Sequence, residues 1–172
     1  MTNKSGVRPS PAVYPQPQIT KPPLFPLEYK KPFLAKEPRL IKVVIDSNVY
    51  ISAILFRGQP DKVLRLAKIR ELRVFISPEI LLEISHKLHK KFKLSEEEVT
   101  KVLKGISKIT EIIQPKIKLK VVKEDPSDNK VIECAVVADA GYIITGDKHL
   151  LKMREFEQIK IVTPSDFLRT VK

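Results

Sequence analysis

Hydrophobic and polar positions change their rhythm near residue 40. Beyond it, short apolar runs rich in β-branched residues alternate with stretches whose apolar positions recur at helical spacing. Leu40–Ile45 reads as a buried strand and Asn48–Phe56 as a helix, which Gly58-Gln59-Pro60 breaks. Asp61–Arg70 carries Val63, Leu64, Ala67 and, at its end, Ile69 at helical spacing, and Leu72–Ile76 reads as a second strand. Ser77-Pro78-Glu79 then opens a helix with a hydroxyl cap, a proline at the first helical position and an acid in the first turn. Continued to about Phe92, that helix places Ile80, Leu81, Ile84 and Leu88 on one face. Ser95, followed by Glu96, Glu97 and Glu98, opens another, with Val99, Val102, Leu103, Ile106 and Ile109 as its apolar set and Pro115 beyond its end.

Ile117–Val122 is a third strand candidate. Ser127–Ala140 reads as helix, Tyr142–Thr145 as a buried strand, Asp147–Phe156 as a short helix, Ile159–Val162 as the last strand and Pro164–Val171 as a small closing helix. Strands that alternate with helices imply βαβ units. The expected fold class is therefore α/β, a three-layer α/β/α arrangement around a central parallel sheet.

Residues 1–39 do not share this pattern. They hold nine of the chain's 14 prolines, and proline lacks the N–H that helices and central strands need. An extended, largely polyproline-II arm is expected there, ahead of a domain over 40–172. Tyr14, Leu24, Phe25, Leu27, Tyr29, Phe33 and Leu34 are apolar anchors that a solvated linker would not need. They point to docking on the chain's own domain, on a neighbouring subunit of a homo-oligomer or on another protein.

At 172 residues the chain has room for one domain with a proper core. Its charge changes the picture further: Lys and Arg exceed Asp and Glu by 12, which makes nucleic acid the first partner to consider. The single cysteine, Cys134, excludes an internal disulfide framework, suits a reducing cytosol and sits in an apolar stretch as a small core residue. No apolar run approaches the roughly 18 residues of a membrane span, and the N-terminus lacks the apolar core of a signal peptide. A cytoplasmic protein without membrane contact is expected.

Ligand sites in open parallel sheets gather beyond the carboxyl ends of the strands, at the switch in strand order. Asp46 directly follows the first strand, and Asp147 follows Tyr142–Thr145 by one glycine. Asp128 shares a helical face with Val131 and Ala135, and Glu83 stands beside Ile80 and Ile84. Each also has an ordinary reading. Asp46 could cap the next helix, Asp128 could favour its helix dipole, Glu83 could pair with Lys87 at i+4, and Asp147 could be a turn residue. Taken together, carboxylates at buried strand ends leave desolvated charge that a hard cation such as Mg²⁺ or Mn²⁺ neutralises with oxygen ligands.

Asp46-Ser47-Asn48-Val49, Glu83 in the third helix, Asp125-Pro126-Ser127-Asp128-Asn129-Lys130 and Thr145-Gly146-Asp147-Lys148-His149-Leu150 together resemble the PIN domain family, in the branch described as toxins of toxin–antitoxin pairs. The resemblance runs from residue 40 to about 170. It implies a ribonuclease site dependent on Mg²⁺ or Mn²⁺, in which Asp46, Glu83, Asp128 and Asp147 match the family's acidic quartet. Ser47 or Asn48 and Thr145 match its supporting polar positions, and Asp125 is a supporting residue beside Asp128. An antitoxin protein is the partner that the toxin role implies. The Pro-rich arm departs from the compact toxin pattern.

RNA would be attracted by the basic run from His86 to Lys93, in which Lys87, Lys90, Lys91 and Lys93 are the candidate phosphate contacts, and by Lys148 beside the site. The expected function is a divalent-metal-dependent endoribonuclease. The alternative is an RNA-binding or scaffold module of the same fold, with an idle site and an arm that recruits a partner. A phosphatase or receiver-like domain is disfavoured, because Asp46-Ser47-Asn48 lacks a second acid two residues on.

Overall fold

Val43, Val44 and Ile45 are each fully buried, so the first strand has both of its faces covered. The computed structural model describes residues 40–171, and the arm expected over 1–39 lies outside them. The first strand, β1 (Ile41–Ile45), is followed by α1 (Ser47–Phe56), α2 (Gln59–Lys68), β2 (Leu72–Ile76), α3 (Pro78–Phe92), α4 (Glu96–Ser107) and β3 (Glu111–Ile112). A 3-10 turn at Pro126–Asp128 then leads into α5 (Asn129–Val137), β4 (Tyr142–Ile144), α6 (Lys148–Met153), β5 (Glu155–Phe156), β6 (Ile159–Val162) and α7 (Pro164–Thr170).

The sheet order is β3-β2-β1-β4-β6-β5. β1 pairs in parallel with β2 on one side and with β4 on the other. β2 pairs with β3 and β4 with β6, also in parallel, and β5 alone runs antiparallel, against β6. The chain leaves β1 toward β2 and later returns to its other side as β4. The switch in strand order therefore lies between β1 and β4, the place beyond whose carboxyl ends open parallel sheets gather their ligands. β6 shows the contrast of a strand nearer the edge: buried Ile159 and Ile161 flank exposed Lys160.

The helix starts follow the expected chemistry. The Ser77 hydroxyl accepts from the Ile80 N–H at 3.3 Å, and Ser95 with Glu98 forms a reciprocal capping box. α3 ends where Lys93 turns into the left-handed region. The sheet is mixed at its edge, because the helix expected to reach Phe156 stops at Met153 and the chain turns back as β5.

One expected strand is absent among the described residues. Ile117–Val122 has no sheet partner, and the third strand is instead the short Glu111–Ile112, set beside Phe75 and Ile76. The reason lies in who satisfies the backbone. The Leu119 N–H donates to Glu133 Oε1 at 2.8 Å, and the N–H groups of Val121 and Val122 donate to Asn129 Oδ1 at 2.8 and 2.9 Å. Asn129 Nδ2 donates in return to the carbonyls of Val122 and Pro126. Two buried polar side chains of α5 thus replace a neighbouring strand, and the segment becomes a strap along that helix.

Asn129 makes four hydrogen bonds to the strap and turn. Its replacement by Ala orphans buried backbone groups, so Asn129→Ala should lower the unfolding free energy by about 2–3 kcal/mol in chemical denaturation. A loss well under 1 kcal/mol would mean that the strap is held by other means.

Candidate metal-binding and catalytic site

The site is built at the β1–β4 switch. The Asp46 N–H donates to the Ile144 carbonyl at 2.9 Å, which extends the β1–β4 pairing by one residue past the strand. Its carboxylate is 3% exposed, and its Oδ2 accepts from the Thr145 hydroxyl at 2.8 Å. It makes no capping hydrogen bond to α1, although it stands at the cap position. Burial pushes the Asp46 carboxyl above its ordinary value, against the pull of the Thr145 hydrogen bond.

Thr145 does a second task. Its oxygen accepts from the Asp147 N–H at 2.9 Å, so one buried hydroxyl holds both strand-end acids in register. Asp147 caps α6, its Oδ1 accepting from the N–H groups of His149 and Leu150. The turn reading of Asp147 is therefore correct for one of its oxygens.

Asp128 closes the 3-10 turn and makes no side-chain cap to α5. Its Oδ2 is buried and has no hydrogen-bond partner among the described residues. Burial, then the nearby charges of Asp147, Asp125 and Asp46, push its carboxyl up to about 6, with Lys130 opposing. The charges of Asp147, Asp125 and Asp46 thus reach Asp128. Asp125 is occupied otherwise: it caps the turn, accepting from the Ser127 N–H and hydroxyl, and those bonds hold its carboxyl low.

Glu83 is half-buried and held by two lysines. Lys87 Nζ lies 2.7 Å from Oε1, and Lys130 Nζ lies 3.0 Å from Oε2. Burial favours the protonated acid, but the hydrogen bonds from Lys87 and Lys130 outweigh it and hold the carboxyl below its ordinary value. Lys87 also donates to Ser47 Oγ at 3.0 Å and to Asn48 Oδ1 at 2.8 Å. The helical Glu83–Lys87 pair is thus real, and it sits inside the site instead of on a solvated face.

Lys90, Lys91 and Lys93 are exposed, and Lys93 lies ten residues beyond Glu83 on or just past α3, about 15 Å along the axis. Lys148 is exposed at the start of α6, next to Asp147. Among the described residues no group of three acidic, histidine or cysteine side chains is gathered tightly enough to ligate one ion directly. The donor set nevertheless suits a hard divalent cation, with oxygen ligands only, one carboxylate oxygen buried without a partner and neighbouring acids that raise its proton affinity.

Lys130 is the site residue that the sequence analysis passed over. A signal was present, since a cation in the first turn of a helix runs against the helix dipole and asks for a local partner. That partner is Glu83, far away in sequence.

A PIN domain family model matches residues 42–149, a span that contains Asp46, Glu83, Asp128 and Asp147. An uncharacterized protein of Methanocaldococcus jannaschii is 36% identical over 141 residues, covering 74% of this chain and 90% of its own length. Among solved structures, VapBC2 from Rickettsia felis, bound to a DNA fragment from their promoter, superposes with a TM-score of 0.51 at 17% identity, over 70% of this chain and 97% of its own. PAE2754 from Pyrobaculum aerophilum superposes with a TM-score of 0.54 at 15% identity, over 77% and 90% of the two chains. At these identities the two structures share the fold.

An acid whose carboxyl rises from an ordinary 3.8 to about 6 keeps its proton longer when folded than when unfolded. The folded state then binds more protons across that window, so stability falls as pH rises through it. In chelator-treated protein, Asp128→Asn should therefore melt above the parent beyond pH 6, with the gap closing toward pH 4. A gap that widens on acidification would show the opposite linkage.

Proposed function

This chain belongs to the PIN domain family, whose members are generally nucleases, and on that premise we propose that it is a divalent-metal-dependent endoribonuclease. The observation that carries the proposal is the partnerless, buried Oδ2 of Asp128 among acids that raise its proton affinity. Asp46, Asp128 and Asp147 would hold Mg²⁺ or Mn²⁺ between them, with Glu83 reaching it directly or through water, as suits an ion that keeps part of its hydration shell. When bound, the cation would supply Lewis acidity at the scissile phosphodiester and neutralise the clustered acids.

The chain's own residues divide the remaining work. Asp128, whose Oδ2 has no other partner among the described residues, or Glu83 would orient the attacking water or take its proton. Thr145 orients the Asp46 carboxylate and the Asp147 backbone, and the first N–H groups of α6 hold the Asp147 carboxylate, so that charge is not lost to side-chain rotation. Lys87 and Lys130 hold Glu83 ionised and place positive charge where phosphate oxygens would arrive. Ser47 and Asn48 support Lys87, and Asp125 shapes the turn that presents Asp128.

RNA as the substrate is supported by the net charge of +12 and by exposed Lys90, Lys91, Lys93 and Lys148. A toxin role, with an antitoxin protein as partner, is supported by the shared fold with VapBC2. The arm over 1–39, with its apolar anchors, would serve docking on a neighbour in a homo-oligomer. A cytoplasmic setting is supported by the lone, buried Cys134. Among the described residues no helix is long and apolar enough to cross a membrane.

The test is cleavage of a labelled RNA with Mg²⁺ or Mn²⁺ present and then with EDTA. Asp46→Asn should remove cleavage by roughly a hundredfold or more while the circular dichroism spectrum is kept, and should abolish the rise in Tm that Mn²⁺ gives the parent. Cleavage that survives both EDTA and the substitution would overturn the proposal.

A further inference from the structure

Beside the acidic site, the strap and the residues that flank it, 116–123, carry a row of lysines outside that site. Lys116, Lys118 and Lys120 are exposed, whereas Ile117 and Leu119 between them turn partly inward. In extended backbone alternate residues stand about 6.4–6.8 Å apart, a spacing comparable to that of successive phosphates along an extended single strand. Lys118, Lys120, Lys123 and Lys130 line one cleft of about 570 Å³, whose apolar floor includes Leu119 and Val122.

Glu133 is the one acid among the residues lining that cleft. It is 4% exposed and already taken up by the Leu119 N–H and by Lys118 at 3.3 Å. Lys120 and Lys123 are exposed, and no ion pair engages them among the described residues. Continuity with the site is direct. Lys130 lines the cleft and also holds Glu83 at 3.0 Å, while Pro126 and Ser127 line it from the turn that carries Asp128.

We propose that the strap lysines Lys118, Lys120 and Lys123 and the cleft they share with Lys130 form a track for a single-stranded RNA backbone leading into the acidic site. The track contacts phosphates flanking the scissile one, and the apolar floor receives a base turned away from the backbone. It binds without reading sequence, because lysines on phosphates position a strand and do not distinguish its bases. The choice of RNA as ligand rests on the nuclease reading, whereas the track itself rests on charge, spacing and its junction with the site.

Binding is measured by fluorescence anisotropy of a labelled single-stranded RNA oligonucleotide over a salt series, in EDTA so that no cleavage intervenes. Loss of two phosphate contacts should reduce the slope of log K against log salt by about 1.4, at roughly 0.7 per contact for single strands. Lys120→Ala with Lys123→Ala should show that reduction and a weaker affinity at low salt, and Lys120→Arg with Lys123→Arg should restore the parent slope. Both residues are exposed, so the circular dichroism melt of the Ala variant should match the parent. An unchanged slope in the folded double Ala variant overturns the track, as does a slope reduction that the Arg pair fails to restore. A track verified in this way beside a chain that cleaves no RNA with any cation would refute the nuclease reading alone. If the Ala pair weakens binding of a labelled poly-glutamate peptide but leaves RNA binding unchanged, the surface serves an acidic protein segment and the proposal fails.

Discussion

A single hydroxyl, that of Thr145, ties together the two acids that follow β1 and β4. It donates to the Asp46 carboxylate and accepts from the backbone N–H of Asp147, so acids that follow two different strands share one anchor. Charge placed at the buried centre of a sheet is costly unless it is hydrogen-bonded. Here the hydrogen bond also orients it, and the parallel pairing of β1 with β4 sets its place. Every other feature of the site is arranged around that pair, from the unpartnered oxygen of Asp128 to the lysines behind Glu83.

The site is polarised. On one side the charges of Asp147, Asp125 and Asp46 add to burial in raising the proton affinity of Asp128. On the other, Lys87 and Lys130 saturate Glu83 and keep it ionised. Opposite charges within one site suit a reaction at a phosphodiester, where negative charge must be both balanced and moved. The same polarity explains why Glu83 looks like an ordinary helical ion pair in the sequence. It is one, and its second partner comes from another helix.

Strand ends, helix caps and the places of Asp46 and Asp147 just past β1 and β4 were legible because each is a local matter. Buried runs such as Val43–Ile45, the Ser95–Glu98 box and acids placed just past strands leave their mark within a few residues. Two features were not legible in this way. The alternation in Ile117–Val122 is the one a strand would show, and only the positions of Asn129 and Glu133 on a packed helix reveal that side chains take the place of a ladder. Lys130 was hidden because its partner is brought to it by the fold. Local chemistry predicts elements well, but it does not predict which distant group satisfies a given polar atom.

That substitution of side chains for a ladder has a mechanical consequence. A strand inside a sheet comes away only when neighbouring strands are torn from it. The strap's backbone hangs on Asn129 and Glu133, and its Val122 is buried in the core. Strap and α5 are therefore joined as one part, and a change at either of those helical side chains reaches the strap while the sheet's ladder keeps its own bonds.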